Sequence, residues 1–196
     1  MKKILSLLTL FTLIASMSAC GNNSKSADAE SGIDISSDSN QSMDTSSESD
    51  NSISSTNGSV QTQTEDPDMP TRVIDDGTKI IMHFGDTIIP GILNDCDTAK
   101  ALIDMLPYTV QMSSFSDDFC GVMTDRLPYN EDEIHNGWLN GDIDYSVVAP
   151  YFTILHSNEE NSQQYSNRVN IGVITCELSK IRNLSGSYDV LIELAE

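Results

Sequence analysis

The side chains able to carry chemistry in this chain are few and scattered. Three histidines, His83, His135 and His156, lie far apart, and neither Cys-x-x-Cys nor His-Glu-x-x-His occurs. Two acidic pairs, Asp95-x-Asp97 and Asp142-x-Asp144, offer the oxygen ligands that Ca2+ takes. Neither opens a loop with the Gly and terminal Glu of a calcium loop. Both pairs therefore read as solvated carboxylates, and neither a metal nor another cofactor is expected. Cys96, Cys120 and Cys176 form at most one disulfide among themselves, and buried free thiols fit equally well. A catalytic thiol needs a base beside it, and no His spacing supplies one. The chain has no Gly-x-Ser-x-Gly nucleophile elbow and no Gly-x-Gly-x-x-Gly phosphate loop. Trp138, beside Gly137 in a polar stretch, is a candidate for stacking on a ligand if exposed, and a packing residue if it folds back.

Charge narrows the partners. The 196 residues carry 30 Asp and Glu against 10 Lys and Arg, a formal net charge of -20. Nucleic acid is excluded as a partner, because phosphate binding needs a basic face. A polybasic contact with anionic lipid is excluded on the same ground.

The N-terminus carries an address. Lys2 and Lys3 precede an apolar run, Ile4 to Ile14, that is too short to span a bilayer. Small residues follow, and Met17-Ser18-Ala19-Cys20 resembles the lipobox of bacterial lipoproteins, with Met17 where Leu is usual. The resemblance implies a signal peptide over residues 1–19, cut before a Cys20 that carries a diacylglycerol. Each buried CH2 of such an anchor contributes about 0.8 kcal/mol, so two or more chains hold permanently. The expected location is the bacterial cell membrane, on its extracytoplasmic side, with the membrane as partner through the lipid on Cys20.

Residues 21–70 hold 14 Ser, 10 acids, one Lys and no aromatic residue. Such a segment cannot bury enough apolar surface to offset chain entropy. Residues 20–70 are therefore expected to be the lipidated Cys and a disordered acidic, Ser-rich linker, ending near Pro67 and Pro70.

Residues 71–196 hold every Tyr, the only Trp and four of five Phe. They are long enough for one core. Lys79–Phe84 and Thr87–Leu93 flank a Gly85-Asp86 turn and predict a hairpin, with Pro90 marking an edge or bulge. Asn94 or Asp95 can cap a helix whose apolar face is Ala99, Leu102, Ile103 and Leu106, stopped by Pro107. Strands are expected over 108–112, 121–124, 143–149, 151–156, 169–176 and 188–194, with polar loops over 129–141 and 157–168. Leu178, Ile181 and Leu184 predict a second short helix before Gly186. About eight strands with two short helices, mainly β, point to a closed barrel.

This succession is similar to the bacterial cyclophilin-like domain family, small β-barrels of secreted proteins and lipoproteins. The resemblance rests on order: the hairpin, Asn94-Asp95 and Thr98-Ala99 entering a helix, Leu106-Pro107 ending it, and Leu127-Pro128. Gly141-Asp142-Ile143 and Ile171-Gly172-Val173-Ile174 then lead into and form later strands. It covers roughly residues 78–195 and implies a cyclophilin-like barrel over 71–196. Val148-Ala149-Pro150-Tyr151 and the polar 157–168 loop depart from the family pattern, so ligand choice does not carry over.

Prolyl isomerases among the cyclophilins use an Arg beside an apolar pocket to ease a rotation whose barrier is about 18–20 kcal/mol. Arg126 and Arg168 are the arginines available for that role, with Met123, Tyr151 and Phe152 as apolar walls, and Arg126, Met123 and Phe152 are the candidate set. Trp138 and Tyr151 are the candidate ligand-binding residues. The leading expectation is a non-enzymatic module that binds a small molecule or peptide. The alternative is a peptidyl-prolyl isomerase or folding helper for exported proteins, and the third a structural domain with no pocket. An open apolar cleft holding one Arg would favour the second, and a plugged barrel the third. A concave polar mouth between the 129–141 and 157–168 loops would favour the first.

Overall fold

The structure is a computed structural model that describes residues 60–196. The signal peptide, Cys20 and the expected linker up to residue 59 lie outside the described residues.

Alternation of apolar and polar residues builds the strands. Strands β1 (Thr78–Phe84) and β2 (Thr87–Leu93) form the expected hairpin. Ile80, Met82 and Phe84 face inward from one strand, and Ile89, Gly91 and Leu93 from the other. Gly85 turns the chain at φ +60°, a left-handed conformation that favours glycine. Pro90 marks neither an edge nor a bulge. It sits one residue short of the β2–β7 ladder, which runs over Gly91–Leu93, so its missing N–H costs no bond there. Its carbonyl still accepts from Thr175 N at 2.9 Å.

Helix α1 (Asp97–Asp104) buries Thr98, Ala99 and Leu102. Its cap is neither Asn94 nor Asp95 but Cys96, whose Sγ accepts from Ala99 N at 3.3 Å. Asn94 steers the entry instead: its Oδ1 accepts from Cys96 N, and its Nδ2 donates to Asn170 O at 2.8 Å. The chain then runs through β3 (Tyr108–Ser114), β4 (Asp118–Val122), β5 (Asp142–Ser146), β6 (Tyr151–Leu155) and β7 (Arg168–Ile174). Helix α2 (Leu178–Arg182) and β8 (Ser187–Leu194) end it. Strand β4 lies three residues earlier than its apolar run predicted, because Phe119, not Met123, is its central core residue.

The eight strands close in the order β1-β2-β7-β5-β6-β4-β3-β8, every pairing antiparallel. Closure removes the exposed edges that an open sheet would leave. The lumen is filled by side chains, including Met82, Phe84, Met112, Phe119, Tyr145 and Phe152. Phe84 meets Phe119 and Tyr188 edge-to-face at 5.2 and 5.6 Å.

The folded part begins before residue 71. Residues 61–73 form a short arm closed by the Thr62–Arg72 bridge, with Gln63 N donating to Thr71 O and Val73 N to Gln61 O. Gln63 Nε2 donates inside the turn to Asp66 O and Pro70 O. Thr71 N donates to Asn140 O at 2.8 Å, and Leu178 N donates to Asp68 O at 2.7 Å. Pro70 is buried on Gly141, which has φ +99°. A Cβ at 141 would come 2.4 Å from Pro70 Cβ. Gly141→Ala is therefore expected to cost more than about 1 kcal/mol and to lift the arm. Limited proteolysis should then cut residues 61–73 faster, while urea unfolding of the barrel remains one cooperative transition.

Candidate functional site

Strand β5 carries Ile143 and Tyr145 into the lumen, so Asp142 and Asp144 point to the outer face. Both are 0% exposed. The expectation that this pair is solvated is thus corrected: the arm and the 129–141 segment roof it over. Asp95 and Asp97 are exposed, as expected.

Asp142 is fully satisfied. Arg72 Nε donates to its Oδ1 at 2.7 Å and Nη2 to its Oδ2 at 2.9 Å, a two-pronged ion pair. Leu139 N also donates to Oδ2 at 2.9 Å. Asp144 accepts from Asn170 Nδ2 at Oδ1, 3.1 Å away, and its buried Oδ2 has no hydrogen-bond partner. Burial first, and the neighbouring Asp142 second, push the Asp144 carboxyl up to about 6, with His135, Arg168 and Arg72 pulling the other way.

Around this pair lies a polar layer outside the barrel. His135 N donates to Arg168 O at 2.9 Å. The Arg168 guanidinium stands 4.9 Å over the Trp138 ring, and Trp138 stacks at 5.2 Å on Tyr165. Trp138 Nε1 donates to Ser157 O at 2.9 Å, and Ser162 Oγ donates to Trp138 O. Trp138 is 3% exposed, which corrects its candidacy as an exposed stacking platform. It pins the 129–141 and 157–168 loops to each other, so they form a cover and not a concave mouth.

The remaining candidates separate. Met123 and Phe152 are sealed in the core at 2% and 0% exposure, whereas Arg126 stands in solvent. They build no open apolar cleft with an Arg. Tyr151 is exposed on β6, opposite the exposed Val122 of β4. Cys96, Cys120 and Cys176 are all free thiols. Burial raises all three, and burial with Asp118 beside it pushes Cys120 up to about 11, so none is a thiolate nucleophile at neutral pH. Among the described residues no cluster of His, Cys, Asp and Glu has the geometry of a metal site.

One open cavity adjoins the Arg72–Asp142 pair. It is a groove of about 360 Å³ between the arm and β7. Met69, Pro70, Val73 and Ile74 supply one apolar wall, and Val173 and Ile174 the other. Arg72 lies at its base, with Gln63, Asp66 and Thr175 as the other polar lining. Its volume falls at the small end of ligand clefts, which run from about 300 to 1,000 Å³. Sequence reasoning missed it because four lining residues, Gln63, Asp66, Met69 and Pro70, lie in the stretch taken as linker. A signal was present: residues 61–70 contain no Ser, unlike the 40 before them.

The model of the cyclophilin-like family matches residues 82–193. The chain belongs to the cyclophilin-like family. The match begins after the arm, so this cyclophilin-like barrel forms its groove partly from residues outside the family segment. The fold is also similar to the solution structure of a hypothetical protein from Archaeoglobus fulgidus. That structure has a TM-score of 0.51 and 16% identity, covering 63% of this chain and 100% of the other. At that identity the likeness concerns the fold alone. No curated protein matches the chain.

The Asp144 carboxyl makes stability pH-dependent. Its folded pKa of about 6 lies above the ordinary 3.8, so the folded state holds the proton more tightly than the unfolded chain. That contribution is complete below about pH 4 and lost as pH rises through 6. Asp144→Asn keeps the Oδ1 acceptor and removes the ionisation. It is expected to raise stability at pH 7 by about 1–3 kcal/mol relative to the wild-type chain. Urea midpoints at pH 4.5 and 7 should differ less in the variant.

Proposed function

We propose that this cyclophilin-like domain is a non-catalytic binding module, tethered by a lipid on Cys20 to the extracytoplasmic face of a bacterial membrane, and that its ligand occupies the groove between the arm and β7. The observation that carries this reading is the groove itself: an open, mostly apolar cleft with a few polar groups, beside a lumen closed by packed side chains. A filled lumen alone would speak for a purely structural domain, and the groove is what weighs against that. The isomerase alternative draws less support, since Met123 and Phe152 are enclosed and Arg126 is not beside an open cleft.

The tether rests on the order of charge, apolar run, small residues and Cys at the N-terminus. Among the described residues no helix is long and apolar enough to cross a membrane. Full-length protein is expected in the membrane fraction of bacterial cells with residues 1–19 removed and the mass of Cys20 increased by acyl chains. Cys20→Ser should leave it unacylated and uncut. An unmodified Cys20 in the wild-type protein would refute the tether.

The groove is tested with N-phenyl-1-naphthylamine, a neutral apolar fluorophore. A chain starting at residue 20 with Cys20→Ser should enhance its emission saturably. Ile74→Glu places a charge in the wall and should weaken binding about tenfold without changing far-UV circular dichroism. No saturable binding, or equal binding by the variant, would refute the assignment.

A further inference from the structure

Building on the reading of the groove as a binding site, we infer that it takes a small cationic amphiphile: an apolar body with one ammonium or guanidinium end. The apolar walls call for the body, as already described. The charge around them calls for the end.

Asp66 lines the groove, and Glu65, Asp68, Asp75 and Asp76 flank lining residues in the chain. All five are exposed, and among the described residues none is in an ion pair. Arg72 is the one cation between residues 60 and 78, and the exposed Lys79 just beyond lies in register, through Ile92, with Val173 of the wall. Its Nε and Nη2 are both given to Asp142, and Asp144 is a second carboxylate close enough to act on it. Lys180 follows two residues after Leu178, which bonds Asp68 O, but Glu177 lies in the same segment. The arm side of the groove is therefore net negative, with five free carboxylates against the nearby Lys79 and Lys180, and Arg72, paired with Asp142, adds no net positive charge to its lining.

The same field disfavours other occupants. The acidic segment 21–59 would bring its own negative charge, seven acids against one Lys. A second copy of a chain with net charge -20 is repelled. An anionic ligand would find spare Nη donors on Arg72 but no net positive charge, because Asp142 already neutralises that guanidinium, and it would meet the carboxylates of the arm. The volume of about 360 Å³ suits a small molecule better than a protein segment.

The test compares three ligands with one eight-carbon tail, all below their micelle concentrations: octyltrimethylammonium, octanol and octanoate. Each is titrated into the 15N-labelled chain starting at residue 20 with Cys20→Ser. Octyltrimethylammonium should bind about three- to fivefold more tightly than octanol, with amide shifts at Val73, Ile74, Val173 and Ile174. Raising salt should shrink that margin. Asp66→Asn with Asp75→Asn should shrink it too, and Asn at 66 keeps the Oδ1 that accepts from Asp68 N. Equal or tighter binding of octanol or octanoate at the same residues would overturn the charge assignment and leave the groove standing. No binding by any of the three, or shifts confined elsewhere, would overturn both.

Discussion

The Arg72–Asp142 ion pair is the constraint on which the outer half of the molecule depends. Asp142 is on β5 with no exposure, and a lone carboxylate there would be strongly disfavoured. Arg72 answers it with two hydrogen bonds from the arm, and Leu139 N with a third from the 129–141 segment. One side chain thus ties the arm to β5 and closes the turn that leads into that strand. A buried pair of this kind contributes little net stability over an apolar substitute, yet removing one partner costs about 3–5 kcal/mol. Its effect is positional: it sets where residues 61–73 lie on the barrel, and so whether a groove exists beside β7.

Asp144 shows what that arrangement costs. Two carboxylates share one face of β5, and the guanidinium satisfies only the first. The second is left with a single side-chain donor, Asn170, and shifts toward its protonated form. His135 leans against this from the covering segment and Arg168 from the start of β7, where it also stands over Trp138. The cover is therefore held by a cation that serves two groups, an acid below and an aromatic ring beside it. Burial raises Asp118 and, with Asp118 beside it, the Cys120 thiol of the same layer, so that thiol stays protonated near neutrality.

Most of the barrel was readable in the sequence because its strands alternate. Ile80, Met82 and Phe84 announce β1, and Val190 and Ile192 announce β8, since a strand with one face in a core must place its apolar residues two apart. The reading failed where a second face was also buried. Asp142 and Asp144 look like outward, hydrated residues by alternation, and they do point outward, but into a covering layer and not into water. Alternation reports the inner face only. The helix cap was misplaced because a thiol is a rare acceptor, while Asn94, one of the two expected caps, instead ties the helix entry to β7. The arm was hidden by averaging: a composition taken over residues 21–70 is acidic and Ser-rich, while its last ten residues hold no Ser and carry Met69 and Pro70.

Family membership and function separate along the same line. The match over residues 82–193 accounts for the closed barrel, whose lumen is spent on its own stability. A barrel so filled can recognise another molecule only with its exterior. The exterior strands carry polar residues, covering loops or scattered exposed apolar side chains such as Val122 and Tyr151, and the apolar groove beside β7 is walled in part by residues 63–74, before the match begins. A fold accounts for a scaffold, and specificity is added by what is laid on it. In this chain the addition is an arm fixed by one buried ion pair, and its acidic residues give the groove a charge that the barrel's own wall, Val173 and Ile174, does not have. On the binding role proposed above, selectivity is set by a segment that could be exchanged without disturbing the barrel's strand order, provided that Arg72 and the approach of Pro70 to Gly141 are kept.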